Sequence, residues 1–192
     1  MIKNGELPVE KHPFEPFLPP NARILFLGSF PPQPHRWCMP FYYPNWINDF
    51  WRIMGLIHFG DKLHFCVPGE KRFDERAIRK FCTREGLAFY DTACEVRRLK
   101  DNASDAFLEV VTPTDIQALL ARIPHCSTLV TTGQKATEVI ASTFHCTEPP
   151  VGGSINLTIA KRTIAFYRMP STSRAYPLPL EKKADTYRQL FF

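Results

Sequence analysis

The chain has 192 residues, 44% hydrophobic and 22% charged, which excludes a disordered or fibrous protein and gives one domain enough material for a core. Its net charge of +5 suits a polyanionic partner without requiring one. No apolar run approaches the roughly 20 residues that span a bilayer, and the first twenty lack the apolar centre of a secretory signal, so a cytoplasmic protein with no membrane association is the expectation.

Residues 1–20 are rich in proline and read as an extended N-terminal strap rather than a helix. Arg23–Phe30 then forms the first of four short apolar stretches, followed by Gly86–Asp91, Ser127–Thr132 and Thr163–Met169. Their apolarity is continuous rather than alternating, the pattern of strands buried on both faces of a sheet. Helical patterns lie between them. Trp46–Ile57 places Ile47, Phe50, Trp51 and Met54 on one face, and Asp74–Glu85 ends before Gly86, a left-handed stop. Thr112–Ile123 opens with Pro113 in its first turn and Asp115 near its positive end. Gln134–Phe144 follows Gly133, and Leu180–Leu190 closes the series. Ile155–Ala160 and Thr163–Met169 read as a hairpin turning at Ala160–Lys161–Arg162, which would add an antiparallel element. This alternation predicts a single α/β domain over 1–192, a three-layer sandwich around a central, mainly parallel four-stranded sheet.

Open α/β sheets bind ligands beyond the carboxyl ends of their strands. After the first strand come Gly28, Ser29, Phe30, Pro31 and Pro32, then an aromatic loop running from Phe41 to Asn48. After the second come Asp91 and the basic run Glu95 to Asp101. After the third, Gly133-Gln134-Lys135 opens a helix, and after the fourth lie Pro170, Ser171, Thr172, Ser173 and Arg174. Planar rings beside hydroxyls and basic groups match what a flipped nucleotide requires.

Standard cofactor and nucleophile motifs are missing. Gly133-Gln134-Lys135-Ala136 lacks the spacing of a phosphate loop, no G-x-G-x-x-G follows the first strand, and there is no G-x-S-x-G elbow. Six scattered cysteines form no C-x-x-C pair, so neither a metal site nor a cofactor is expected; reduced, mostly buried thiols are.

In order along the chain, these segments resemble the uracil-DNA glycosylase superfamily. Gly28-Ser29-Phe30-Pro31-Pro32 corresponds to its G-x-x-P-G motif, Tyr43 through Asn48-Asp49-Phe50-Trp51 to its aromatic loop leading into N-x-F-W, and Met169-Pro170-Ser171-Thr172-Ser173-Arg174 to its P-S-rich intercalation loop. The combination is most similar to the hypoxanthine-DNA glycosylase branch, over roughly Ile24 to Ala175.

The resemblance implies a monomeric, metal-independent DNA-repair enzyme of base excision. Such an enzyme flips a deaminated base from double-stranded DNA and hydrolyses its N-glycosidic bond. It places Asn48 as the residue orienting the attacking water. Gly28, Ser29, Phe30, Pro31, Tyr43, Asp91 and Met169 would line the base pocket, with Tyr43 stacked on the base. Ser171, Thr172, Ser173 and Arg174 would enter or contact the duplex, with Lys135 near a phosphate. Phe30 and Met169 depart from the pattern, standing where active uracil enzymes carry polar groups, so hypoxanthine is expected as substrate before uracil.

Plainer roles compete for each residue. Tyr43 also suits a core, Asn48 a helix N-cap, Asp49 a helix start and Asp91 a turn partner. Lys135, Arg97 and Arg98 suit solvated surface charges. Two other functions remain open: a non-catalytic damage- or DNA-binding relative, and an enzyme acting on free nucleosides.

Overall fold

The computed structural model describes residues 7–100 and 105–192. Residues 1–6 of the strap and Asp101 of the basic run lie outside the described residues.

The main sheet has the order β3-β2-β6-β8-β7, built from β2 (Ile24–Gly28), β3 (Leu87–Asp91), β6 (Thr128–Thr132), β7 (Gly153–Ile159) and β8 (Arg162–Met169). The pairs β2–β3, β2–β6 and β6–β8 are parallel. Every side chain of β2 and β3 is buried. Successive strand side chains point to opposite faces, so both faces of this centre are covered.

The expected four-stranded sheet is corrected to five strands of mixed direction. The added strand, β7, pairs antiparallel with β8 through a turn in which Ala160 (φ 49°) and Lys161 (φ 65°) are left-handed. Two positive φ values in a two-residue turn match the right-handed twist of the flanking strands. As an edge strand β7 has alternating exposure over much of its length, so its pattern reads differently from the continuously apolar central strands.

The helices are α1 (Phe50–Phe59), α2 (Glu75–Glu85), α3 (Ile116–Arg122), α4 (Gln134–Phe144) and α5 (Leu180–Arg188). On α1, Phe50 meets Phe26 edge-to-face at 5.3 Å and Tyr187 of α5 at 6.4 Å, joining the helix pair to the sheet. α2 begins where Asp74 accepts a hydrogen bond from the Ala77 N–H at 2.9 Å. It ends at Gly86, φ 70°, where a Cβ would also press to 2.7 Å from the Asn21 carbonyl oxygen. α1 starts four residues later than its apolar pattern predicts. Ile47 is accordingly not in the core but 54% exposed.

A second, antiparallel sheet has the order β1-β4-β5, from β1 (Val9–Lys11), β4 (Ala93–Arg98) and β5 (Leu108–Pro113). β1 forms from the expected strap, β4 from the stretch holding the basic run, and β5 from a stretch given no element that runs into the first two residues of the expected helix Thr112–Ile123. Pro113 closes β5 rather than opening α3, whose N-cap is Asp115, accepting from the Ala118 N–H at 2.9 Å. Phe30, Ala93, Val96 and Leu108 form a small core of their own on this sheet. Among the described residues no helix is long and apolar enough to cross a membrane.

Candidate functional site

A cleft of about 650 Å³ opens at the carboxyl ends of β2, β3 and β6, lined by the loops after β2 and β8 and by the turn before β5. It brings together ten of the residues singled out from the sequence: Gly28, Ser29, Phe30, Pro31, Tyr43, Asn48, Asp91, Ser171, Thr172 and Ser173.

One wall is a pair of loops stitched to each other. Asn48 and Ser173 form an antiparallel bridge, and the Asp49 N–H donates to the Thr172 carbonyl at 2.9 Å. The Asn48 Oδ1 accepts from the Phe50 N–H at 2.9 Å, satisfying a donor at the start of α1. This bond fixes the amide's orientation and leaves Nδ2 as the donor available to a ligand. Behind the loop, the Arg52 guanidinium donates to the carbonyls of Trp46 (2.8 Å) and Asn48 (3.0 Å) and stacks over the Trp46 ring at 4.4 Å. The Tyr187 hydroxyl donates to the Pro170 carbonyl at 2.8 Å, anchoring the second loop on α5.

Tyr43 stands between this wall and the inner end. Its backbone is left-handed at φ 52°, uncommon for an aromatic residue. Its ring stacks on Phe50 with centroids 3.9 Å apart, and its hydroxyl pairs with Thr132 Oγ1 at 2.8 Å. Burial pushes its phenol well above the usual range, so it stays neutral. One ring face is therefore occupied, and the ring is locked in place as part of the cleft lining.

The inner end is set by Gly28 and Asp91. A Cβ on Gly28 would lie 2.5 Å from Asp91 Oδ1, so the close approach of this carboxylate to β2 requires glycine. The other oxygen, Oδ2, is 2.8 Å from His12 Nε2, while His12 Nδ1 is 2.9 Å from the Phe14 carbonyl oxygen. His12 and Phe14 come from the N-terminal strap, which thereby closes this end of the cleft; neither was identifiable from motifs, because the contact joins segments 79 residues apart. Asp105, also unidentified from sequence, lines the cleft beside Ser29. Burial, then the like charge of Asp91, raises its pKa, against the opposing pull of the Ser29 hydroxyl, Lys135 and Arg98.

Another stretch of the lining carries Phe30, Pro31, Pro32 and Arg36. The Phe30 side chain turns onto the second sheet and meets His12 edge-to-face at 5.3 Å. Arg98 is not a solvated charge: it pairs with Glu10 at 2.9 Å and donates to the Pro31 carbonyl at 2.6 Å, bracing this wall. Trp37 Nε1 donates to the Pro32 carbonyl at 2.7 Å.

Three expected site residues lie elsewhere. Met169 is 1% exposed and belongs to the main core, because its side chain falls on the inward side at the end of β8. Arg174 is exposed beside the cleft and directs its guanidinium to Asp49, 3.2 Å away. Lys135 sits half-buried in the first turn of α4, outside the lining. Thr172 does line the cleft, yet it is 2% exposed, so its side chain is not a free surface contact. Among the described residues, no group of three or more His, Cys, Asp or Glu side chains is placed to hold a metal ion.

No protein-family model matches the chain, and no curated protein matches it. In architecture it is similar to a protein of Methanosarcina acetivorans, a candidate uracil DNA glycosylase solved by solution NMR. The TM-score is 0.63 at 19% sequence identity, over 96% of this chain and 99% of that one. A likeness at that identity establishes a shared α/β fold.

Proposed function

We propose that this protein is a DNA glycosylase that flips a deaminated base, hypoxanthine before uracil, from duplex DNA and hydrolyses its N-glycosidic bond. The observation that carries the reading is the Asn48 amide, fixed through Oδ1 in the lining of a cleft that also includes the locked Tyr43 ring. An extruded base would slide along Tyr43, with its sugar left at the rim near Asn48. The bond breaks through an oxocarbenium-like sugar, and Asn48 orients the water that attacks C1′. An amide is not a base, so its contribution is positioning and electrostatic.

The test is excision from labelled duplexes carrying hypoxanthine, uracil or no lesion, by wild type and Asn48→Ala. Cleavage at hypoxanthine that falls about 100-fold or more in the variant, with lesion binding retained, is the expected outcome. Salt-sensitive lesion binding without turnover by the wild type would instead favour a non-catalytic damage-binding protein. Phe30, an apolar side chain where the resemblance to uracil-excising enzymes implies a polar one, is the feature that favours this second reading.

A further inference from the structure

The cleft holds two carboxyl groups that the hydrolysis outlined above leaves without a role. Asp91 is engaged by His12 and pressed against Gly28. Asp105 is placed differently. It lies in a short 3-10 turn, Asp105–Phe107, that leads straight into β5, and it is half-buried in the cleft lining. Its surroundings are the Ser29 hydroxyl from the loop after β2, Asp91 from β3, Arg98 from β4 and Lys135 from α4. Arg98 is committed to Glu10 and the Pro31 carbonyl, and so is not free to form a close pair with it. Asp105 thus sits on the same cleft as Tyr43 and Asn48, and among the described residues it forms no salt bridge, Lys135 and Arg98 acting on it only through their charge.

We propose that Asp105 is the general acid of this cleft, delivering a proton to the imidazole ring of a purine as its bond to the sugar breaks. The inference rests on the glycosylase reading and extends it to the choice of base. Burial and the neighbouring Asp91 carboxylate both favour the protonated acid at this position, the form such a step needs. A purine is a poor leaving group as an anion, and protonation at N7 lets it leave neutral. Uracil gains less, since its anion spreads charge over two carbonyl groups.

The step balances without a further reactant. The O–H bond of Asp105 breaks as an N7–H bond forms. The C1′–N9 bond breaks with its electron pair going to the purine, which departs as neutral hypoxanthine. Water, oriented by Asn48, forms the new C1′–O bond and releases one proton to solvent, from which the Asp105 carboxylate recovers its own.

The test compares duplexes carrying hypoxanthine with duplexes carrying 7-deazahypoxanthine, in which a carbon replaces N7 and cannot take the proton. Single-turnover rates are measured for wild type and Asp105→Asn across pH. The wild type is expected to excise hypoxanthine about 100-fold faster than the deaza base, with a rate that falls as Asp105 loses its proton. Asp105→Asn should be slow on both bases, with the discrimination and the alkaline fall both gone. Equal wild-type rates on the two bases would overturn the proposal, and that comparison does not depend on the variant's folding. Undiminished discrimination in Asp105→Asn would overturn it too. No excision of any base by the wild type would overturn the glycosylase reading itself, and this inference with it.

Discussion

Lys183 Nζ lies 3.1 Å from Asp49 Oδ2 and 2.8 Å from the Ser173 carbonyl oxygen, so a single ammonium on α5 ties together the two loops that form one wall of the cleft. The lysine is 1% exposed and Asp49 is also buried. Removing the lysine leaves Asp49 with only the exposed Arg174 guanidinium, and breaking a buried pair costs up to about 3–5 kcal/mol. Lys183→Met is therefore expected to lower the urea midpoint by the equivalent of that loss, and pairing it with Asp49→Asn should recover part of it. A loss below about 1 kcal/mol would show the pair to be no stronger than a surface one.

Tyr43 permits a separation of packing from ligand stacking. Tyr43→Phe keeps the ring on Phe50 and removes the hydroxyl paired with Thr132. Its expected cost in stability is about 1 kcal/mol, with lesion binding close to wild type. Tyr43→Ala also removes the platform, and should weaken binding of a lesion duplex by about 1–3 kcal/mol, read by fluorescence anisotropy. Affinity unchanged in Tyr43→Ala would assign the ring wholly to the core.

A pH dependence of stability follows from Asp105. Its carboxyl is raised in the folded protein, chiefly by burial, above the value of about 3.9 usual in an unfolded chain. Below that lower value both states hold the proton and the group is neutral in its effect. As pH rises the unfolded chain releases the proton first, so stability falls through the folded pKa. Asp105→Asn should accordingly be more stable than wild type near neutrality, with the gap closing as pH approaches about 4. Urea melts at several pH values read this directly. A variant less stable at neutral pH would show that the Ser29, Lys135 and Arg98 interactions outweigh burial.

What could be read beforehand followed the range over which each pattern acts. β2, β3, β6 and β8 were legible because each is a short, continuously apolar run, and α4 because its periodicity and its Gly133 start are local. The β1-β4-β5 sheet was not. Its strands are short and largely polar, and β1 meets β4 across most of a hundred residues, with Val9 opposite Arg97. Pro113 illustrates the ambiguity: a proline is equally at home at a helix start or a strand end, and only the pairing of Ala93 with Pro113 decides. The same division runs through the site. Gly28, Tyr43, Asn48 and Ser171, singled out by local motifs, line one cleft. Met169 shows the limit of reasoning by position alone, since a one-residue step along a strand moves a side chain to the other face. His12 and Asp105 depend wholly on tertiary neighbours and carry no local signal.

The seam between Asn48 and Ser173 has a mechanical meaning. Two loops joined by backbone hydrogen bonds and clamped from behind by Lys183 and Arg52 behave as one stiff jaw, not as separate fingers. Adapting the cleft's width to a one-ring or a two-ring guest then falls to the rest of the lining, which includes Pro31, Pro32 and the Asp105 turn. In the proposed glycosylase, selectivity for the size of the base would be tuned there, away from the Asn48 amide.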